Sequence, residues 1–220
     1  DEYANMPVDV QKDEEKGLYY VQKEKKRLYF RKSTPAKKIQ KYYRALSMEQ
    51  DRRSPHHYFN SVKEVTGKVF VDVGCAEGYS SLEIIEEAKH VYLFEQDEQW
   101  LEAIRATFEP WQDKVTIVQK YVSDHNSSRE QTLDDFFNNQ TNEHLFLKMD
   151  IEGAERHALA GCNNLFQNCQ KLDFAICTYH LRDDEEVISA FLDKHNCTYI
   201  NQKGFFRHKI RSVVMRGSKK

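Results

Sequence analysis

The stretch Val69-Phe70-Val71-Asp72-Val73-Gly74-Cys75-Ala76-Glu77-Gly78-Tyr79-Ser80 decides how the rest of this sequence is read. An apolar run carrying one acid meets a glycine loop and opens into a helix-forming segment. Gly74 and Gly78 let the backbone approach a ligand closely, and a helix N-terminus offers N–H groups without intrahelical partners. The spacing is G-x-x-x-G, followed by a bulky Tyr79, so the tight pyrophosphate turn of a dinucleotide site is poorly matched. Taken alone, the two glycines are also what an ordinary strand–helix turn requires.

A second signal follows in His90-Val91-Tyr92-Leu93-Phe94-Glu95. An acid closing the second strand, about 20 residues past the glycines, is placed to accept both ribose hydroxyls. Together the two features predict an adenosine-type ligand at the carboxyl ends of the strands. Asp124, in Tyr121-Val122-Ser123-Asp124 after the third strand, is expected beside the adenine.

Working outward, strand and helix patterns alternate from residue 68 onward. Strands are predicted over 69–73, 90–94, 115–118, 145–149, 172–178, 197–200 and 210–215, with helices over 80–88, 96–108, 153–166 and 183–194. Alternation implies parallel pairing with right-handed crossovers. The link 201–209 is too short for a helix, so the last two strands should pair antiparallel. The expected fold class is therefore α/β: a Rossmann-like, doubly wound, seven-stranded and mostly parallel sheet with an antiparallel last strand. An N-terminal hairpin (17–22 and 27–31) and a helix from Pro35 to about Gln50 precede it, with Ser33 and Thr34 as cap. Residues 1–16 are expected to be loose. The domain division is a basic extension over 1–60 and the ligand-binding domain over 61–220.

The bulk composition agrees with one domain and an appendage: 220 residues, 31% charged and 40% hydrophobic, with a net charge of -2. No apolar run approaches the roughly 18 residues of a membrane span. The polar N-terminus shows no signal peptide, and five cysteines without a C-x-x-C pair read as core thiols, so a reducing, cytoplasmic setting is expected. Residues 16–53 hold 13 Lys/Arg against the three acids Glu24, Glu49 and Asp51. That block is either a solvated hairpin face or a surface for an anionic acceptor or RNA.

The glycine-loop stretch, Leu93-Phe94-Glu95, Thr132-Leu133-Asp134-Asp135 and Leu147-Lys148-Met149-Asp150-Ile151-Glu152-Gly153-Ala154-Glu155 together resemble the FkbM family of S-adenosylmethionine-dependent methyltransferases. The similarity spans residues 68–180, and Lys-x-Asp-x-Glu-Gly-x-Glu is its most family-specific element. The antiparallel final hairpin fits as well. By that resemblance Gly74, Glu77, Gly78 and Glu95 hold S-adenosylmethionine. Asp72, Cys75, Ala76, Gln96, Ser123, Asp124 and Asp150 complete the expected cofactor set, with S-adenosylhomocysteine as product. Members methylate hydroxyls on polyketides, sugars and glycan-related molecules. The hairpin, the helix and Met48 to His56 resemble the subset from bacterial surface-polysaccharide clusters. This sequence departs from many members in Cys177-Thr178-Tyr179-His180, which lacks an acid beside the histidine.

A sulfonium makes its methyl group electrophilic, so the protein mainly positions the acceptor, and a hydroxyl acceptor also benefits from a general base. Candidates at the ends of the fourth and fifth strands are Asp150, Glu152, Glu155 and His180. His180 is the preferred base, because an ordinary imidazole is mostly neutral at cellular pH; its alternative is a polar loop cap. Asp150 and Glu152 could instead hold a divalent cation, but Thr178 and Tyr179 stand where more oxygen ligands are needed, so no metal is assigned. Glu155 could simply favour the first turn of its helix. Lys148 is expected to face away from Asp150, and Trp100 and Trp111 to be packing residues. His56, His57 and Tyr58 belong to a segment able to fold over the cofactor.

The acceptor is expected to be a small or glycan-linked molecule, shaped by loops 125–143 and 179–184 and by the N-terminal segment. A nucleic-acid methyltransferase is the rival on charge, but no Asn/Asp-Pro-Pro-Tyr/Phe motif follows the fourth strand. A non-catalytic nucleotide-binding partner in glycan assembly is a second rival, and an NAD-dependent oxidoreductase a third. The aromatic hairpin offers an edge for a homodimer.

Overall fold

The computed structural model describes residues 2–138, 143–206 and 209–219. His208 and part of the 125–143 loop therefore lie outside the described residues.

The chain begins with a small antiparallel sheet of β1 (Val10–Asp13), β2 (Leu18–Lys23) and β3 (Lys26–Tyr29), followed by helix α1 (Ala36–Glu49). β1 corrects the expectation of a loose N-terminus: Val10 to Asp13 pair residue for residue with Val21 to Leu18. The expected Ser33/Thr34 cap does not form either. Pro35 is the N-cap and no side chain caps the helix, so α1 is held by its packing, with Ile39 fully buried.

Next come β4 (Val69–Val73), α2 (Tyr79–Ile84), β5 (His90–Phe94), α3 (Glu98–Phe108) and β6 (Val115–Val118). Two short strands, β7 (Tyr121–Val122) and β8 (Glu130–Gln131), lead through α4 (Leu133–Phe136) to β9 (His144–Met149). The remainder is α5 (Glu155–Ala160), α6 (Asn163–Asn168), β10 (Lys171–Cys177), α7 (Asp184–Lys194), β11 (Thr198–Phe206) and β12 (Lys209–Lys219).

The main sheet has the order β11-β12-β10-β9-β4-β5-β6, parallel except where β12 runs against both β10 and β11. The predicted mixed seven-stranded sheet is the one observed. Every residue of β4 is buried, as a central strand covered on both faces must be. Phe70 joins a cluster on one face with Leu82, Ile104 and Trp100, while Val69, Val71 and Val73 join Leu159, Phe166 and Ile188 on the other. The hairpin and α1 belong to the first cluster: Leu18, Leu28, Phe30 and Ile39 pack with the residues of α2 and α3. Tyr29 N donates to Thr107 Oγ1 on α3 at 3.0 Å, and Lys23 Nζ reaches Tyr79 OH at 2.8 Å.

Three further differences have local causes. The helix expected over 153–166 is two: α5 ends at its C-cap Gly161, where the chain lies against the Ser123 carbonyl so closely that a Cβ would sit 2.1 Å away, and α6 begins after Cys162. Helix α3 starts two residues late, since Asp97 caps it by accepting from Gln99 N. The final hairpin is longer than predicted, because residues 201–206 extend β11 and Lys209 already begins β12. Among the described residues no helix is long and apolar enough to cross a membrane.

Candidate active site

Strand order reverses between β4 and β9: the chain runs outward through β5 and β6, then returns to lay β9 beside β4. A crevice must open at the carboxyl ends of those two strands. There lies a cleft of about 610 Å³, within the range of small-molecule sites. Val73 and Met149 are register partners, so Gly74 and Asp150 emerge side by side.

That proximity explains Gly74. Its φ is +78°, and a Cβ would lie 2.1 Å from the Asp150 carbonyl oxygen. Gly78, with φ +80°, opens α2 and abuts the Phe108 ring, which a Cβ would meet at 2.6 Å. Between them Ala76 adopts a left-handed φ of +46°. Its N–H donates to Glu95 Oε2 at 3.1 Å, while Asp97 N donates to Oε1 at 2.7 Å. Glu95 thus ties the glycine loop to the start of α3. Burial raises its pKa, against the lowering effect of those two N–H groups.

Lys148 corrects one expectation. Residues two apart on a strand share a face, and Lys148 lines the cleft with Asp150. Its ammonium lies 2.8 Å from Asp72 Oδ1 and donates to the Gly74 carbonyl at 2.7 Å. Asp72 also accepts from Ser81 Oγ at 2.6 Å. Strand end, glycine loop and first helix are therefore pinned from one buried point.

The Lys-x-Asp-x-Glu-Gly-x-Glu stretch has a similar logic. Glu152 and Gly153 both take positive φ, +57° and +102°. Both oxygens of the fully buried Glu155 accept from this loop, from Ile151 N at 2.9 Å and Gly153 N at 3.0 Å. A left-handed residue other than glycine costs about 1–3 kcal/mol and persists where its surroundings hold it. Glu155 does that here.

His180 lies behind the cleft wall rather than in its lining. Nδ1 is 2.9 Å from Glu155 Oε1, and Nε2 is 3.6 Å from Asp150 Oδ1 and 3.5 Å from Glu152 Oε2. Burial opposes a charged ring, yet the Glu155 carboxylate and the charges of Asp150 and Glu152 outweigh it and raise the pKa. The expected neutral base is thus an imidazole held toward its protonated form. Ligand atoms of Asp150, Glu155 and His180 fall within 4.8 Å of one another, the spacing of a metal set. Both Glu155 oxygens also accept backbone N–H groups, while both His180 ring nitrogens and Asp150 Oδ1 are buried without a well-formed hydrogen bond.

Several lining residues escaped sequence reasoning. Tyr42, Leu46, Glu49 and Gln50 come from the end of α1, and Arg31 from the link that precedes it. Tyr42 OH donates to the buried Glu77 at 2.8 Å. Arg31 pairs with Asp97 at 2.8 Å and stacks 4.0 Å over the Trp100 ring, so Trp100 is a cleft wall as well as a packing residue. From the His56-His57-Tyr58 run only Tyr58 enters the cleft, donating to Asp150 Oδ2 at 2.6 Å. His57 is buried against Asn60 and Arg216 instead, and His56 packs on Tyr179. No local pattern marks these residues; they converge through the docking of the N-terminal unit.

Of the expected cofactor set, Asp72, Gly74, Cys75, Ala76, Glu77, Glu95, Gln96 and Asp150 line the cleft, and Gly78 sits just behind it. Glu152 also lines the cleft. Ser123 and Asp124 do not. Asp124 faces solvent and pairs with His125 and His157, and Lys120, Tyr121 and Val122 hold the position expected for it. The chain turns into β7 before Ser123, carrying it away.

The sequence model of the methyltransferase FkbM domain matches residues 46–200. No curated protein matches the chain. Among solved structures, methyltransferase FkbM from Methylobacillus flagellatus KT superposes with a TM-score of 0.55 at 17% identity, over 84% of this chain and 55% of that one. Magnesium protoporphyrin IX methyltransferase from Synechocystis PCC 6803, solved with bound SAM, gives 0.53 at 13% identity, over 86% of each chain. SMU.1697c from Streptococcus mutans, in complex with SAH, gives 0.51 at 15% identity, over 72% of this chain and 93% of that one. At such identities the likeness is one of fold, and this chain spans about half the length of the Methylobacillus protein.

Proposed function

The chain belongs to the methyltransferase FkbM domain family, and from that premise we propose that it methylates a hydroxyl of a sugar- or glycan-related acceptor, using S-adenosylmethionine. The observation that carries this reading is the convergence of the Gly74–Gly78 loop, Glu95 and Asp150 on one cleft. A glycine loop packed tightly against the Asp150 backbone, a carboxylate at the second strand end and an acid-rich wall all suit a cationic adenosyl ligand. When bound, that ligand supplies an electrophilic methyl group.

The chain's own residues hold and orient. Glu95 and the glycine loop would take the ribose and the adjoining backbone contacts. Asp150, fixed by Tyr58, and Glu152, held in its strained turn by Glu155, face the side where an acceptor enters. His180 acts as a positioning residue behind them. The bacterial surface-polysaccharide type remains our preferred setting, from the N-terminal hairpin and from helix α1, which walls the cleft.

The basic block speaks for a small acceptor over a nucleic acid. Lys16, Arg27, Arg31 and Arg53 pair with Glu109, Asp13, Asp97 and Asp51 of this same chain, which leaves less free positive charge for a phosphate backbone. Calorimetry with S-adenosylmethionine, S-adenosylhomocysteine and NAD, followed by a labelled-methyl screen of nucleotide sugars and glycan intermediates, tests the proposal. Tight binding of NAD with no binding of either sulfur ligand would sink it.

A further inference from the structure

Five carboxylates around this cleft have defined partners. Asp72 pairs with Lys148, Glu77 accepts from Tyr42, Glu95 accepts from two backbone N–H groups, Asp97 pairs with Arg31, and Asp150 accepts from Tyr58. Glu152 lies against His180. Glu49, the last residue of α1, lines the same cleft half-buried. Among the described residues its carboxylate makes neither a hydrogen bond nor an ion pair. Asp150 Oδ1 also lacks a hydrogen bond, but Glu49 is the lining carboxylate with neither oxygen engaged, and so the one that offers both to a ligand.

The charges that bear on it are acidic, although Arg31 and Lys148 line the same cleft. Glu77 faces it from the glycine loop, Asp150 and Glu152 from the end of β9, Tyr42 from its own helix and Tyr179 from the loop after β10. Burial and the three carboxylates push the Glu49 carboxyl up to about 7. A general base works best with a pKa near the operating pH.

We propose that Glu49 takes the proton of the acceptor hydroxyl, and that it ionises in step with the arrival of the cofactor's positive charge. The proposal rests on the methyl-transfer reading above. The acceptor hydroxyl gives its proton to the Glu49 carboxylate as its oxygen bonds the methyl carbon; the carbon–sulfur bond breaks with its electron pair left on sulfur. A cation and a carboxylate become two neutral groups, so the net charge of the cleft is the same before and after transfer. A nearby positive charge favours the ionised carboxyl, whereas the neutral product does not.

Calorimetric titration at pH 7 in phosphate and in Tris, whose ionisation enthalpies differ, reads the protons exchanged on binding. With the carboxyl near 7, S-adenosylmethionine should release about half a proton per site from Glu49. S-adenosylhomocysteine should release none. Glu49→Gln should abolish the release while still binding S-adenosylhomocysteine, and Glu49→Asp should retain part of it. Equal proton release by wild type and Glu49→Gln, or no difference between the two ligands in wild type, overturns the Glu49 assignment alone. Failure of both ligands to bind wild type overturns the methyl-transfer reading and this proposal with it.

Discussion

Lys148 on β9 reaches across to Asp72 on β4, 2.8 Å from Oδ1, with both side chains almost wholly buried. The pair sits under the glycine loop, and the ammonium holds the Gly74 carbonyl as well. A buried pair of this kind contributes little beyond a hydrophobic replacement, but breaking it from one side strands a charge.

Lys148→Met should therefore cost about 3–5 kcal/mol, because Asp72 is left uncompensated. Asp72→Leu combined with Lys148→Met should recover much of that stability without restoring S-adenosylhomocysteine affinity. Urea unfolding of the three variants, with calorimetry on whichever fold, separates the two effects. Additive losses would show that the pair does not act as a unit.

Gly74→Ala should impair both folding and the site. The left-handed φ costs an alanine about 1–2 kcal/mol, and the methyl would press on the Asp150 backbone rather than on a flexible side chain. A lowered melting temperature together with at least tenfold weaker S-adenosylhomocysteine binding is expected. Gly67, which also has positive φ but open space around it, serves as the control: Gly67→Ala should lower stability alone.

Glu95→Ala removes the expected ribose acceptor, and charged hydrogen bonds of about 1.5–3 kcal/mol predict a 10- to 100-fold loss of affinity. Burial raises the Glu95 pKa, so wild-type affinity should fall as pH is lowered through that raised value, where the carboxylate becomes a neutral acid. Unchanged affinity in the variant would remove Glu95 from the site.

His180 and Glu49 both have raised folded-state pKa values, with different consequences for stability. For His180 the folded state holds its proton more tightly than the unfolded chain. That stabilisation is full below the ordinary histidine pKa and is lost as pH rises through the raised value. His180→Gln should abolish the part of the pH dependence of unfolding that sets in as pH rises past the ordinary histidine pKa.

For Glu49 the unfolded chain loses its proton near the ordinary glutamate pKa, and the folded protein only near 7. Wild-type stability should fall across that window as pH rises. Glu49→Gln should match wild type at pH 4 and exceed it at pH 7.5, by melting temperature. A polar group that destabilises its own fold in this way is common at functional sites.

The sequence alone determined the sheet, its antiparallel end and the two loops that meet at the switch point. Those features are local: apolar period, glycine spacing and strand-end acids are all read within a few residues of one another. Lys148 was misplaced, expected to face away from Asp150 although residues two apart on a strand share a face and both line the cleft. What only the tertiary structure decided is how the cleft is closed and which groups in it are free. Arg31, Tyr42, Glu49 and Tyr58 reach the cleft because the hairpin and α1 share a core with α2 and α3, a packing relation that no spacing encodes. His180 was identified from its place in the chain, but its charge comes from Glu155, Asp150 and Glu152, which chain folding gathers around one ring. Charge state depends on distances and burial in three dimensions, and these arise only when separate elements dock.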